Sequence, residues 1–258
     1  MDMQYTEADK RLARSLLSVD LGEMSAALAD GATAHREPFR GVAWCLIPLY
    51  FSARQGLGEE RQTVAKQMMR YLIQEGSPVR GMALFVAAGH KFSVEDVNYL
   101  LDNGLWREAS ELQTLAASYL DNDEIMVLLI GTGHVPPSMQ VGDAVLFERI
   151  CLNGLHRSAY EFAGIGANID VPVTIDGEVM PVIEGAAKLG HPAVVNSLIK
   201  SGAFYDGERL LAKAEAHSSQ CATIVNKCIA AFEMGVDLPD DDVLAHMGLG
   251  PAGAGVRQ

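Results

Sequence analysis

Aromatic residues, cysteines and long uncharged apolar runs are all scarce in this chain. Aromatics make up only 7% of its 258 residues although apolar residues reach 49%. The core is therefore left to Ala, Leu, Val, Ile and Met, side chains that suit closely stacked helices better than a sandwich of sheets. Cys45, Cys151, Cys221 and Cys228 lie far apart or on apolar faces, and none forms a C-x-x-C. That pattern favours reduced thiols over a disulfide framework. Nothing approaches a run of about 18 apolar residues, so no membrane span is expected. The opening stretch, MDMQYTEADKRLARSLL, is charged and helical in pattern and has no apolar core of a cleaved signal. The expected location is cytoplasmic, or outside the cell by a route that reads no cleaved N-terminal signal.

Basic charge is also in short supply. There are 20 Lys and Arg against 33 Asp and Glu, a net of −13. The first hundred residues hold 11 and 12 of these, a net of −1, which leaves 9 and 21, a net of −12, for residues 101–258. Nucleic acid is excluded as a direct ligand, because phosphate binding needs a positive field. A basic protein partner is compatible with this balance.

Motifs that carry catalysis are missing. There is no G-x-S-x-G, no P-loop and no H-E-x-x-H, and Gly164-Ile165-Gly166 follows a helical pattern where a dinucleotide loop needs a strand. Asp143, Glu148, His156, Glu184 and His191 are capable of acid–base work, yet no two have motif spacing. His217, Cys221 and Cys228 share a helical face, but Cys221, Ile224, Cys228 and Ile229 read as a buried stripe, and no fourth ligand accompanies them. The expectation is a protein that is not an enzyme, with no cofactor and no metal.

What the chain does contain is repeated punctuation. Three apolar residues precede a glycine at offsets −7, −4 and −3, seven times over. The sets are Met24, Ala27, Leu28, Gly31; Met69, Leu72, Ile73, Gly76; Val97, Leu100, Leu101, Gly104; and Met126, Leu129, Ile130, Gly133. Ala159, Phe162, Ala163, Gly166; Val195, Leu198, Ile199, Gly202; and Cys228, Ala231, Phe232, Gly235 complete the series. One match is only an amphipathic helix ending in glycine. Seven, spaced by 45, 28, 29, 33, 36 and 33 residues, mark a repeat with a period near 33. The clearest copy is 180–203, where Gly190-His191 makes a turn, Pro192 opens a second helix at its first position, and Gly202 stops it.

AAKLGHPAVVNSLIKSGA (186–203) resembles the second half of an ankyrin repeat, and SVEDVNYLLDNGL (93–105) is similar. The Thr-Pro-Leu-His opening of that family is absent, and Pro181, Val182, Ile183 and Glu184 stand where it would fall. The resemblance implies an all-α fold, a right-handed solenoid of about seven stacked helix-turn-helix repeats with short hairpin or loop fingers. It also implies one domain over residues 1–247, with the Gly/Ala-rich 248–258 expected to be a disordered tail.

Along the chain, helices are expected at 5–17, 20–29, 58–76, 93–104, 106–120, 123–131, 144–154, 155–166, 207–217 and about 219–234. Residues 42–56 are apolar, with Pro48 kinking or beginning a helix, and 82–90 would form the first helix of the third unit. Ser93 and Asp96 form a capping box, with Asp where Glu is usual. Residues 134–143 read as a Pro-rich connector. Residues 168–178 alternate Ile169, Val171, Val173 and Ile175 before Asp176-Gly177, which predicts a hairpin.

An ankyrin-like array implies binding of another protein by the fingers and first helices. The fingers offer Arg36, Phe39, Arg40, Arg80, Trp106 and Arg107 in the first half, and Asp170, Asp176, Glu178, Phe204, Tyr205 and Asp206 in the second. Trp, Tyr and Arg are common interface anchors. The expected role is an adaptor or effector, monomeric and binding neither nucleic acid nor membrane. The alternative is an acidic inhibitor or immunity-type protein that occludes a basic toxin or nuclease site.

Overall fold

A computed structural model describes residues 5–35, 43–56, 58–81, 92–107 and 109–236. In it each of the seven register glycines follows a helix with a positive φ, from 66° at Gly235 to 101° at Gly104. At Gly31 the glycine N–H donates to Leu28 O and the next N–H, of Ala32, donates to Ala27 O. Gly76, Gly166, Gly202 and Gly235 close their helices with the same two bonds. This closure fixes the offsets, because the carbonyls it satisfies belong to residues −3 and −4. Positions −7 and −4 are buried in all seven sets. Position −3 varies: Leu28 and Ala163 are half-buried and Phe232 is 48% exposed.

The described residues are mostly helical, with strands confined to two short hairpins. None of their helices is long and apolar enough to cross a membrane. The chain divides into two compact units, residues 1–118 and 119–258.

The first unit contains α1 (Glu7–Ser18), α2 (Leu21–Ala29), a 3-10 turn (Trp44–Leu46) leading into α3 (Ile47–Arg54), and α4 (Glu59–Gln74). After these come α5 (Val94–Asp102), a second 3-10 turn (Leu105–Arg107) and α6 (Ala109–Ser118). Pro48 stands near the start of α3, where its missing N–H costs nothing. The helix expected at 82–90 lies outside the described residues, as does the tail 248–258. Helix α1 packs on α2 and α3, and α4 packs on α2 and α3. First helix thus meets first helix, and second meets second.

Two reciprocal capping boxes start helices here, Thr6 with Asp9 on α1 and Ser93 with Asp96 on α5. Asp96 is buried, and burial alone would raise its carboxyl. The hydrogen bond from Lys66 on α4, with those from Ser93, outweighs burial and holds the group below the usual carboxylate range.

The second unit contains α7 (Asp123–Gly131), β1 (Gln140–Val141), β2 (Ala144–Val145), α8 (Leu146–Leu152) and α9 (His156–Gly164). It continues with β3 (Pro172–Ile175), β4 (Glu178–Pro181), α10 (Val182–Lys188), α11 (Pro192–Lys200), α12 (Gly207–His217) and α13 (Ser219–Glu233). Helix α9 packs on α7 and α11, and α11 on α13, while α10 packs on α8 and α12. Phe147 of α8 and Phe162 of α9 meet edge to face at 6.3 Å. Pro192 does occupy the first turn of α11.

The period in the sequence reappears as the separation between hydrogen-bonded partners. In the first unit, Cys45 N donates to Ser77 Oγ 32 residues on, Gly81 N to Glu111 Oε1 30 on, and Tyr99 Oη back to Arg70 O 29 away. In the second, the carboxylate of Asp123 accepts from Arg157 N and Ser158 N, 34 and 35 residues on, and Asp170 accepts from Phe204 N, 34 on. Each of these bonds thus spans 29 to 35 residues, close to the spacing of the register glycines.

Candidate binding surface

The β3–β4 hairpin is a short structure fixed to the helix that follows it. At the tip of β3–β4, Asp176 (φ 54°) and Gly177 (φ 80°) both take the left-handed region, as a two-residue hairpin turn with the twist of its strands requires. The register runs from Ile175 opposite Glu178 to Pro172 opposite Pro181. The return strand thus extends past the stretch that alternation alone marks. The hairpin base is tied down by Val182 N donating to Val171 O at 2.9 Å. Its inner face lies on α10, where a Cβ on Gly185 would come within 2.8 Å of Val173 Cγ2 and 3.0 Å of Ile175 Cδ1. The stretch 134–143, read above as a connector, contributes the strand of a second hairpin, β1–β2, around Gly142 and Asp143. Its two-residue strands are too short to show alternation.

The acidic residues expected to face a partner are already engaged. Lys188 on α10 pairs with Asp176 at 3.0 Å and with Glu178 at 3.8 Å, and Lys213 on α12 also pairs with Glu178. The bond from Lys213, helped by the charges of Lys188 and Arg209, holds the Glu178 carboxyl below its ordinary range against slight burial. Asp206 caps α12, its carboxylate accepting from Glu208 N and Arg209 N. Tyr205 is half-buried, and burial together with Glu233 raises its phenol. Beneath them the buried carboxylate of Glu184 accepts from Arg209 Nη2 at 2.9 Å.

In the first unit, Arg80 is exposed and its carbonyl accepts from Ala43 N. Arg107 is exposed in the second 3-10 turn, with its side chain lying over Gly104. Trp106 belongs to the same turn, but its side chain, like Arg36, Phe39 and Arg40, lies outside the described residues.

Three residues of the surface were not anticipated. Lys188 and Lys213 supply the positive charge, and Val179, on β4 beside Glu178, is 67% exposed. Phe204, in the next finger loop, is 77% exposed, with its own N–H held by Asp170.

His191 bonds not to its own turn but to the preceding helix pair, with Nε2 3.0 Å from Leu152 O. His156 pairs with Asp123 at 3.4 Å, and Arg149 with Asp143. The Cys221 thiol donates to Ala187 O, and all four cysteines are buried. Among the described residues no three of His, Cys, Asp and Glu are grouped to hold a metal ion. No protein-family model matches this chain, and no curated protein matches it.

Proposed function

We propose that the chain is a diverged ankyrin-like array, a solenoid of helix pairs, that binds another protein through its fingers and first helices as an adaptor or effector. The observation that carries this reading is that Val179 and Phe204 are held in solvent by turns that are themselves fixed. The β3–β4 hairpin is pinned to α10 and to two lysines, and the 203–206 loop is pinned by Asp170 and by the Asp206 cap. A fixed turn presenting an apolar side chain loses little conformational entropy on binding. A single exposed apolar residue needs no explanation, whereas two on successive pinned fingers make a surface for an apolar anchor.

Apolar anchors favour the adaptor over the acidic inhibitor, since Asp176 and Glu178 are neutralised by lysines of their own chain. The two readings differ in salt response, because an interface built on apolar contacts loses little affinity as ionic strength rises. The test uses the full chain as bait, alongside a Val179→Ser/Phe204→Ser variant. The account expects a polypeptide retained by the native chain at low and high salt and lost by the variant, with an unchanged melting temperature. Equal retention by both baits would overturn it.

A further inference from the structure

A cleft of about 230 Å³ lies in the first unit, between α1 and the 3-10 turn that leads into α3. Ala13 and Leu17 line it from α1, Trp44 and Ile47 from the other side, and Tyr5, just before α1, completes an almost wholly apolar surface. Trp44 is only 2% exposed and Ile47 is buried, whereas Leu17 is 41% exposed. The cleft therefore has a covered floor and an open rim. An apolar cavity of about 150 Å³ accepts a benzene ring, so this one has room for an indole or phenol side chain.

The polar groups that line it have donors to spare. The buried carboxylate of Asp9 is already occupied, accepting from Thr6 N, Thr6 Oγ1 and Thr33 N. Lys10 spends one of its three N–H donors on Glu7, at 2.6 Å. The indole N–H of Trp44 is buried and has no hydrogen-bond partner. Arg14 is exposed one turn after Lys10, next to Ala13 and three residues before Leu17, and it donates through Nε to Lys10 O. An occupant of this cleft must bring a ring and acceptors.

Given the polypeptide partner proposed above, on which this rests, we infer that the cleft is the socket for one aromatic side chain of that partner, with an acidic residue beside it meeting Lys10 and Arg14. The ring fills the apolar space over Trp44 and Ile47, the kind of pocket in which interface energy concentrates. A backbone carbonyl of the entering segment supplies the acceptor that the Trp44 N–H lacks, since buried donors are normally paired. A segment with the same ring between basic residues is refused, because its charges meet two cations.

The experiment titrates three peptides, acetyl-Glu-Trp-Glu-amide, acetyl-Lys-Trp-Lys-amide and acetyl-Glu-Ala-Glu-amide, into the isotope-labelled full chain and follows its indole N–H resonances by NMR. The chain has two tryptophans, so Trp106→Phe assigns the Trp44 signal. The expected result is a downfield movement of that signal with millimolar Glu-Trp-Glu and none with the other two. Ala13→Leu, which fills the cleft, should abolish the response with the melting temperature held or raised. Arg14→Glu, on an exposed side chain, should weaken it by up to about fivefold, and it decides the matter if Ala13→Leu melts early. The Val179→Ser/Phe204→Ser variant, changed only in the second unit, should respond as the native chain does, so that failure here is separate from failure of the finger surface. A Trp44 signal unmoved by Glu-Trp-Glu or moved equally by Lys-Trp-Lys would overturn the proposal. So would an Arg14→Glu chain that binds like the native one, or loss of the response in the finger variant.

Discussion

At the scale of single residues, the glycines did the most to make this chain readable. The seven register glycines were visible because only glycine enters the left-handed region freely, so their spacing is a backbone signal independent of side-chain chemistry. Gly185 gave no such signal. It lies inside α10, where helix propensity alone would make Gly185→Ala stabilising by about 1 kcal/mol. The hairpin changes the sign, because the added methyl would meet Val173, Ile175 and Leu152 at 2.8, 3.0 and 3.2 Å. Overpacking of this kind costs about 1–3 kcal/mol, so the variant is expected to lose stability in urea unfolding. A gain in midpoint would mean that the hairpin does not rest on α10. The lysines at 188 and 213 were unreadable for a different reason, since a lysine on a helix surface looks the same whether it is solvated or clamps a finger.

At the scale of elements, the helices were largely legible and the fingers only in part. Asp123–Gly131 and Gly207–His217 coincide with the stretches that periodicity marks, because caps and stops bound them on both sides. The β3–β4 turn was legible from Asp176-Gly177, whereas the return strand was hidden by Pro181, which the edge of a two-stranded hairpin tolerates. The cap geometry can be tested directly. Gly202 holds φ at +85°, and an alanine there would cost about 1–2 kcal/mol. Gly164, in the last turn of α9 with open space around it, has no positive φ, and Gly164→Ala is expected to be neutral or stabilising. Thermal melts of the two variants would check the pair. Equal effects would show that the glycine stops are not what terminates the helices.

At the scale of the whole molecule, the period predicted more than composition did. The excess of acid in residues 101–258 suggested an acidic face, yet at the β3–β4 finger the acids are matched by lysines one helix away and one period on. What the sequence could not show is that Val179 is held outward, because the return strand that carries it lies beyond the stretch marked by alternation, whereas Phe204 was readable as a residue of the loop after Gly202. The most direct measurement of the central claim is site-specific photo-crosslinking of the full chain, with a photoreactive residue at position 204 and, as control, at exposed Thr223 on α13. The account predicts a crosslink from position 204 to one partner polypeptide and none from position 223. Equal crosslinking from both positions, or capture from position 223 alone, would contradict it.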